Sequence, residues 1–189
     1  MKIIVCSAVQ PIVPGGGQCN KSGGRALLNR MNVGFRTDTT LLKNGKPFFV
    51  PDGVGEVRGQ AYVVYRISRL GKSIERQFAS RYIDGMTIGV CFTASGIEGE
   101  PGRNMDGSSV VGDFVDIDKV AALCVNNCSY PPASGELVGE EIALLSQYVS
   151  LRQGDLLFAE PLGDEFVAEP NSDFRARVGE QTVLDFRIK

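Results

Sequence analysis

A chain of 189 residues, 43% hydrophobic and 22% charged, is long enough to bury its own core without staples. Its formal net charge of -2 gives no electrostatic reason to bind nucleic acid or an anionic membrane. It has no histidine, which excludes Ser-His-Asp and Cys-His nucleophiles, H-E-x-x-H zinc sites and every His general base. The five cysteines (Cys6, Cys19, Cys91, Cys124 and Cys128) are odd in number and irregularly spaced. That argues against a disulfide framework and for a reducing compartment, so the expected location is the cytoplasm.

In chain order, "KIIVC" at 2–6 reads as a short buried strand, too short for a secretory apolar region. No window reaches the ~18 apolar residues of a membrane span. Residues 11–24, "PIVPGGGQCNKSGG", form a loop. No G-x-x-x-x-G-K-[ST] or G-x-G-x-x-G opens a helix there, so its glycines do not make a phosphate cradle. "RALLNRM" reads as one or two helical turns, and 39–52 as a hairpin about Asn44-Gly45.

Residues 55–67 alternate cleanly. Val57, Ala61, Val63, Tyr65 and Ile67 face one way; Glu56, Arg58, Gln60, Tyr62 and Arg66 face the other. A helix is expected next, capped by Ser73, with Ile74, Phe78, Tyr82 and Ile83 on one side and Gly85 as its stop. A second alternating strand covers 86–95. "CVNNC" lacks both zinc-knuckle spacing and a second ligand pair, so no structural zinc is expected at Cys124 and Cys128. A helix over "EEIALLSQYVS", a strand "LLFAE" and a C-terminal hairpin around Gly179 complete the chain. The resulting fold class is α+β, β-rich, in one domain over 1–189.

The ordered blocks "LLKNGKPFFVPD", "VYRISRLGKSIERQFASRYIDGMTIGVCFTA", "DGSSVVGDFV" and "VSLRQGDLLF" resemble the fumarylacetoacetate hydrolase family in its short bacterial single-domain form. The resemblance runs from about Thr39 to Lys189 and weakens before residue 35 and over 115–135. It implies a mixed β-roll with several sheet layers, a homodimer, and one Mg²⁺ or Mn²⁺ held by an E-x-E pair and an Asp. Anionic oxygens suit such hard cations. Strand residues two apart lie roughly 6.6 Å from each other on one face, close enough to share an ion.

At the positions the resemblance assigns to those carboxylates stand Gln60, Tyr62 and Cys91. The family's lid, with its His-Glu dyad, falls on the Gly-rich loop 11–24. Its oxyanion lysine corresponds to Arg103, while Asp106 is kept. Its Gly-Thr-Pro turn has become "AEPLG", and its Arg-Asp pair has become Ser95-Gly96.

The residues therefore favour a pseudoenzyme without a cofactor. Arg58, Gln60, Tyr62, Cys91, Arg103 and Asp106 would line a degenerate pocket for a small anionic keto acid, or the chain would serve a partner or regulatory role. The alternative is an active C–C bond hydrolase, decarboxylase or tautomerase on acylpyruvate-type or oxaloacetate-type keto acids. A metal-free version would need nearby arginines to lower the proton affinity of Tyr62 or Cys91. A metal-dependent version would need other carboxylates, drawn from Asp84, Glu98, Glu100, Asp106 and Asp113.

Overall fold

The computed structural model describes residues 1–8, 31–97, 99–117 and 121–189. The expectations for the Gly-rich loop 11–24, and for helical turns before Met31, lie outside the described residues. Strands dominate: β1 (Ile3–Ala8), β2 (Met31–Arg36), β3 (Leu41–Lys43), β4 (Val57–Ile67), β5 (Ile83–Ala94), β6 (Ser109–Val111), β7 (Leu123–Val125), β8 (Cys128–Tyr130), β9 (Leu156–Val167), β10 (Asp173–Val178) and β11 (Gln181–Arg187). Among the described residues, two α-helices, α1 (Glu100–Arg103) and α2 (Gly135–Tyr148), and 3-10 helices at Asp38–Thr40 and Arg76–Tyr82 join them.

Seven strands form a mixed sheet in the order β2-β1-β9-β4-β5-β6-β3, and four form a second sheet, β11-β10-β7-β8. The β1–β9 and β3–β6 pairings are parallel. The alternation read in 55–67 is what lets the sheets pack. Val57, Ala61, Val63, Tyr65 and Ile67 enter the main core, together with Phe174, Ala176, Leu184 and Phe186 of the second sheet. Aromatic rings weld the layers: Phe92 stacks on Phe48 at 4.0 Å and meets Phe166 and Phe186 edge-on at 6.1 Å. The C-terminal hairpin forms as its alternation predicts, with Phe174, Ala176, Val178, Leu184, Phe186 and Ile188 all buried.

Three expectations are corrected. The segment 39–52 is not a hairpin. The Asn44-Gly45 turn forms, with Lys46 N–H donating to Lys43 O at 3.3 Å. However, β3 pairs with β6 and Phe48 bridges Ile188. A three-residue arm gains more from joining a large sheet and stacking Phe48 on Phe92 than from pairing locally.

The helix expected after Ser73 is instead the seven-residue 3-10 helix Arg76–Tyr82. Ser73 caps nothing. Its φ is +50°, its N–H donates to Ser146 O, and Ile74 N–H donates to Ser146 Oγ. The segment is pinned between the Gly71–Leu151 bridge and the start of β5 at Ile83, so Gly85 lies inside β5. A 3-10 helix, rising about 2.0 Å per residue, spans more distance with fewer residues than an α-helix.

Helix α2 starts at Gly135, earlier than the expected Glu140, because Ser134 caps it: Leu137 N–H donates to Ser134 Oγ at 3.3 Å. Ser134→Ala should cost about 1 kcal/mol in chemical denaturation. An unchanged midpoint would show that the cap contributes nothing. No helix among the described residues is long and apolar enough to cross a membrane.

Candidate functional site

The floor of the site is the β4–β5 ladder. Its antiparallel register sets Arg58 opposite Thr93, Gln60 opposite Cys91 and Tyr62 opposite Gly89. Paired residues project to the same side of a sheet, so Arg58, Gln60, Tyr62 and Cys91 share the face turned away from the main core. Tyr62 and Cys91 belong there to a second apolar cluster with Ile3, Val64, Val111, Leu156 and Phe158. Gly89 makes the packing possible. A Cβ at that position would lie 2.8 Å from Phe158 Cε1 and from Val64 Cγ2. Without it, the Phe158 ring meets Tyr62 edge-on, 6.0 Å between centroids.

A cleft of about 270 Å³ opens on this face, and Arg36, Arg58, Tyr62, Glu100, Arg103 and Glu165 line it. Of the six residues chosen from sequence, Arg58, Tyr62 and Arg103 reach the cleft. Gln60, Cys91 and Asp106 are not among its lining residues. Gln60 instead spends its amide nitrogen on the backbone oxygens of Ala61 and Gly163, at 3.0 and 3.1 Å. Cys91 is buried below the surface and Asp106 is exposed.

Sequence reasoning missed Arg36. This half-buried residue ends β2, and its guanidinium donates to Phe92 O at 2.8 Å, Thr93 Oγ1 at 3.1 Å and Ser108 Oγ at 3.2 Å. These neutral acceptors fix the fork without neutralising it, and no carboxylate among the described residues lies within ion-pair distance of it. A signal was present in "MNVGFR", where Asn32, Gly34 and Arg36 alternate with Val33 and Phe35. It falls in the stretch where the family resemblance fades. Arg58, by contrast, is held by Glu56, Nε to Oε1 at 2.6 Å, and Arg66 by Asp84 at 2.7 Å.

The arginines do not activate their neighbours. Burial pushes the Tyr62 phenol up, the nearby Cys91 adds to the rise, and Arg36 offsets only part of it. Burial likewise lifts the Cys91 thiol to about 11 against the pull of Arg36 and a hydrogen bond with Ser109. Both groups hold their protons at neutral pH, so the lowered proton affinity that a metal-free reaction would need at Tyr62 or Cys91 is not found.

Nor does this donor set fit Mg²⁺ or Mn²⁺. An amide, a neutral phenol and a neutral thiol stand where carboxylate oxygens would be needed. Among the described residues no three His, Cys, Asp or Glu gather as a cation-binding group. Of the alternative carboxylates, Asp84 is engaged by Arg66, Asp113 accepts from Asn44 at 2.8 Å and Glu100 from Asn104 at 3.0 Å. Glu98 lies outside the described residues.

Solved structures supply the comparison. The chain superposes over its full length on a Yersinia pestis protein assigned to the fumarylacetoacetate hydrolase family, with a TM-score of 0.74, 16% identity and 92% of that chain covered. The chain has the fumarylacetoacetate hydrolase fold. The same fold is shared with fumarylpyruvate hydrolase from Pseudomonas aeruginosa in complex with Mn²⁺ and pyruvate (TM-score 0.72, 17% identity, 100% of this chain and 89% of that one). It is shared too with 5-carboxymethyl-2-hydroxymuconate delta-isomerase from Mycobacterium smegmatis (TM-score 0.74, 17% identity, 99% and 78% covered). No family model and no curated protein matches the sequence. The β-roll that the family resemblance implies is therefore the observed architecture: a curled mixed sheet packed against a second sheet, with few helices among the described residues.

Proposed function

We propose that this chain is a non-catalytic relative of the fumarylacetoacetate hydrolases that binds a small anionic keto acid in the arginine-lined cleft without a metal ion. One observation carries the reading: Arg36, Arg58 and Arg103 line the same cleft against two glutamates, Glu100 and Glu165. Of these arginines, Arg36 is rigidly held by neutral acceptors alone. Such a fork is preorganised for a carboxylate, which it can meet with two parallel N–H bonds. Tyr62, kept protonated by burial, can donate one further hydrogen bond. Pyruvate bound in the Pseudomonas aeruginosa fumarylpyruvate hydrolase supports a keto acid as the ligand class.

Two titrations on chelator-stripped protein test it. Oxaloacetate or pyruvate should bind saturably without metal, and Arg36→Ala should weaken that binding by about tenfold or more, in line with a charge-assisted bidentate contact. Mn²⁺ up to millimolar concentration should give no saturable heat. Stoichiometric micromolar Mn²⁺ binding, or turnover of acylpyruvates or oxaloacetate that depends on it, would replace this reading with a metal-dependent hydrolase or decarboxylase.

A further inference from the structure

Beneath α2, on the opposite face of the sheet from the arginine cleft, lies a second space of about 170 Å³. Tyr65, Ile83, Met86, Val138 and Ile142 are its larger wall residues, and all five are buried. Ile117 closes one side. A native core is packed close to crystal density, so a void of this size calls for an explanation.

The helix above it is trimmed to keep it open. Gly139 lies in the interior of α2, with a φ outside the left-handed range, and a Cβ there would have no neighbour closer than 3.8 Å. Neither backbone geometry nor crowding demands glycine at that place, although glycine is the poorer helix former. Gly135, one turn earlier, Ala133 just before the helix, and Ala79 facing Gly139 complete a wall of minimal side chains. The space also has a mouth. Ser80, Gly135 and Gly139 line both the chamber and an open groove between α2 and the 3-10 helix.

Among the residues that line the chamber only Tyr65 and Ser80 carry a polar side chain, and neither is charged. The Tyr65 hydroxyl lies 3.5 Å from Glu160 Oε1, longer than an ordinary O–H···O bond, so it retains capacity for another partner. Close to Tyr65, Glu141 is buried with an Oε2 that has no hydrogen-bond partner among the described residues. Burial and the charge of Glu160 raise the Glu141 carboxyl to about 8, which keeps it protonated at neutral pH.

We propose that this chamber binds a small neutral alcohol or phenol, its apolar body against Ile83, Met86 and Ile142 and its hydroxyl bonded to Tyr65. The volume suits a molecule of about eight non-hydrogen atoms, since an apolar cavity of roughly 150 Å³ holds benzene. The proposal does not depend on what the arginine cleft binds.

Calorimetric titration of p-cresol and toluene tests it on the intact chain and on Gly139→Leu, Ala79→Ile and Tyr65→Phe, each checked for folding by circular dichroism. The parent should bind both probes saturably. Either chamber-filling variant, once folded, should lose affinity for both by about tenfold or more. Tyr65→Phe should bind p-cresol several-fold more weakly and toluene unchanged. No saturable binding to the parent, or parental affinity in a folded filling variant, would overturn the site. Equal p-cresol affinity in Tyr65→Phe and the parent would overturn the alcohol assignment.

Discussion

Glu141→Gln is expected to remove most of a pH dependence of stability that the parent chain shows between about pH 4.5 and 8. In the folded protein Glu141 is 5% exposed, and the groups facing it are Glu160 from β9, Tyr65 from β4 and Cys6 from β1. None of these is a cation. Its carboxyl therefore moves from an ordinary 4.5 to about 8, burial being the larger cause and Glu160 the second.

The sign follows from proton counts. Between those two values the native state keeps a proton that the unfolded chain has released, so stability falls as pH rises and levels off above 8. The slope approaches about 1.4 kcal/mol per pH unit inside the window. Gln has the shape of the protonated acid and does not titrate. The variant should match the parent near pH 5 and exceed it by a few kcal/mol at pH 8. Urea denaturation at pH 5, 6.5 and 8 measures this directly; parallel curves for the two proteins would mean that Glu141 is paired or solvated in the folded state. Glu160, also raised by burial, remains in the variant and leaves a shallower slope of the same sign.

The second large effect is expected at Phe92. Its ring is fully buried, stacked on Phe48 and flanked by Phe166 and Phe186, so it bridges the seven-stranded sheet to the C-terminal hairpin. Phe92→Ala should destabilise by about 3–5 kcal/mol, combining lost transfer free energy with a cavity that rings on three sides cannot collapse to fill. Phe49, next to Phe48 in sequence, is 62% exposed. Phe49→Ala should change stability by no more than about 0.5 kcal/mol. Similar losses for the two variants would show that layer-to-layer aromatic packing does not hold the sheets together. The Phe92 backbone matters separately, because its carbonyl accepts from Arg36. A folded Phe92→Ala protein should thus keep its anion affinity while losing stability.

What the sequence determined by itself was which side of the strand 57–67 and of the C-terminal hairpin enters the main core. A strand's period of two is written in successive residues, so the split of 57–67 into a core face and a polar face needed no partner to be read. The C-terminal hairpin was legible for the same reason, and so was the exclusion of every histidine chemistry. The β-roll depends on pairings between distant segments, which periodicity cannot supply; it was expected only through the resemblance to the fumarylacetoacetate hydrolase family.

Tertiary structure alone decided which strand pairs with which, and where the pattern slips. Leu41–Lys43 carries no mark of its partner, so β3 joined β6 instead of folding back across Asn44-Gly45. Ser73 looked like a cap until Ser146 claimed its backbone. Arg36 entered the cleft because the sheet curls: three strands separate β2 from β5 in the pairing order, yet the Arg36 guanidinium lies within hydrogen-bond reach of Phe92 and Thr93 on β5. Glu160 shows the effect at a single residue. Simple alternation would set it with Leu156 and Phe158, but a register shift between β4 and β9 near Tyr62 and Val64 turns it toward Tyr65. An extra residue in one strand changes the face of everything beyond it, and that choice depends on the energy of the whole sheet, which no local pattern encodes.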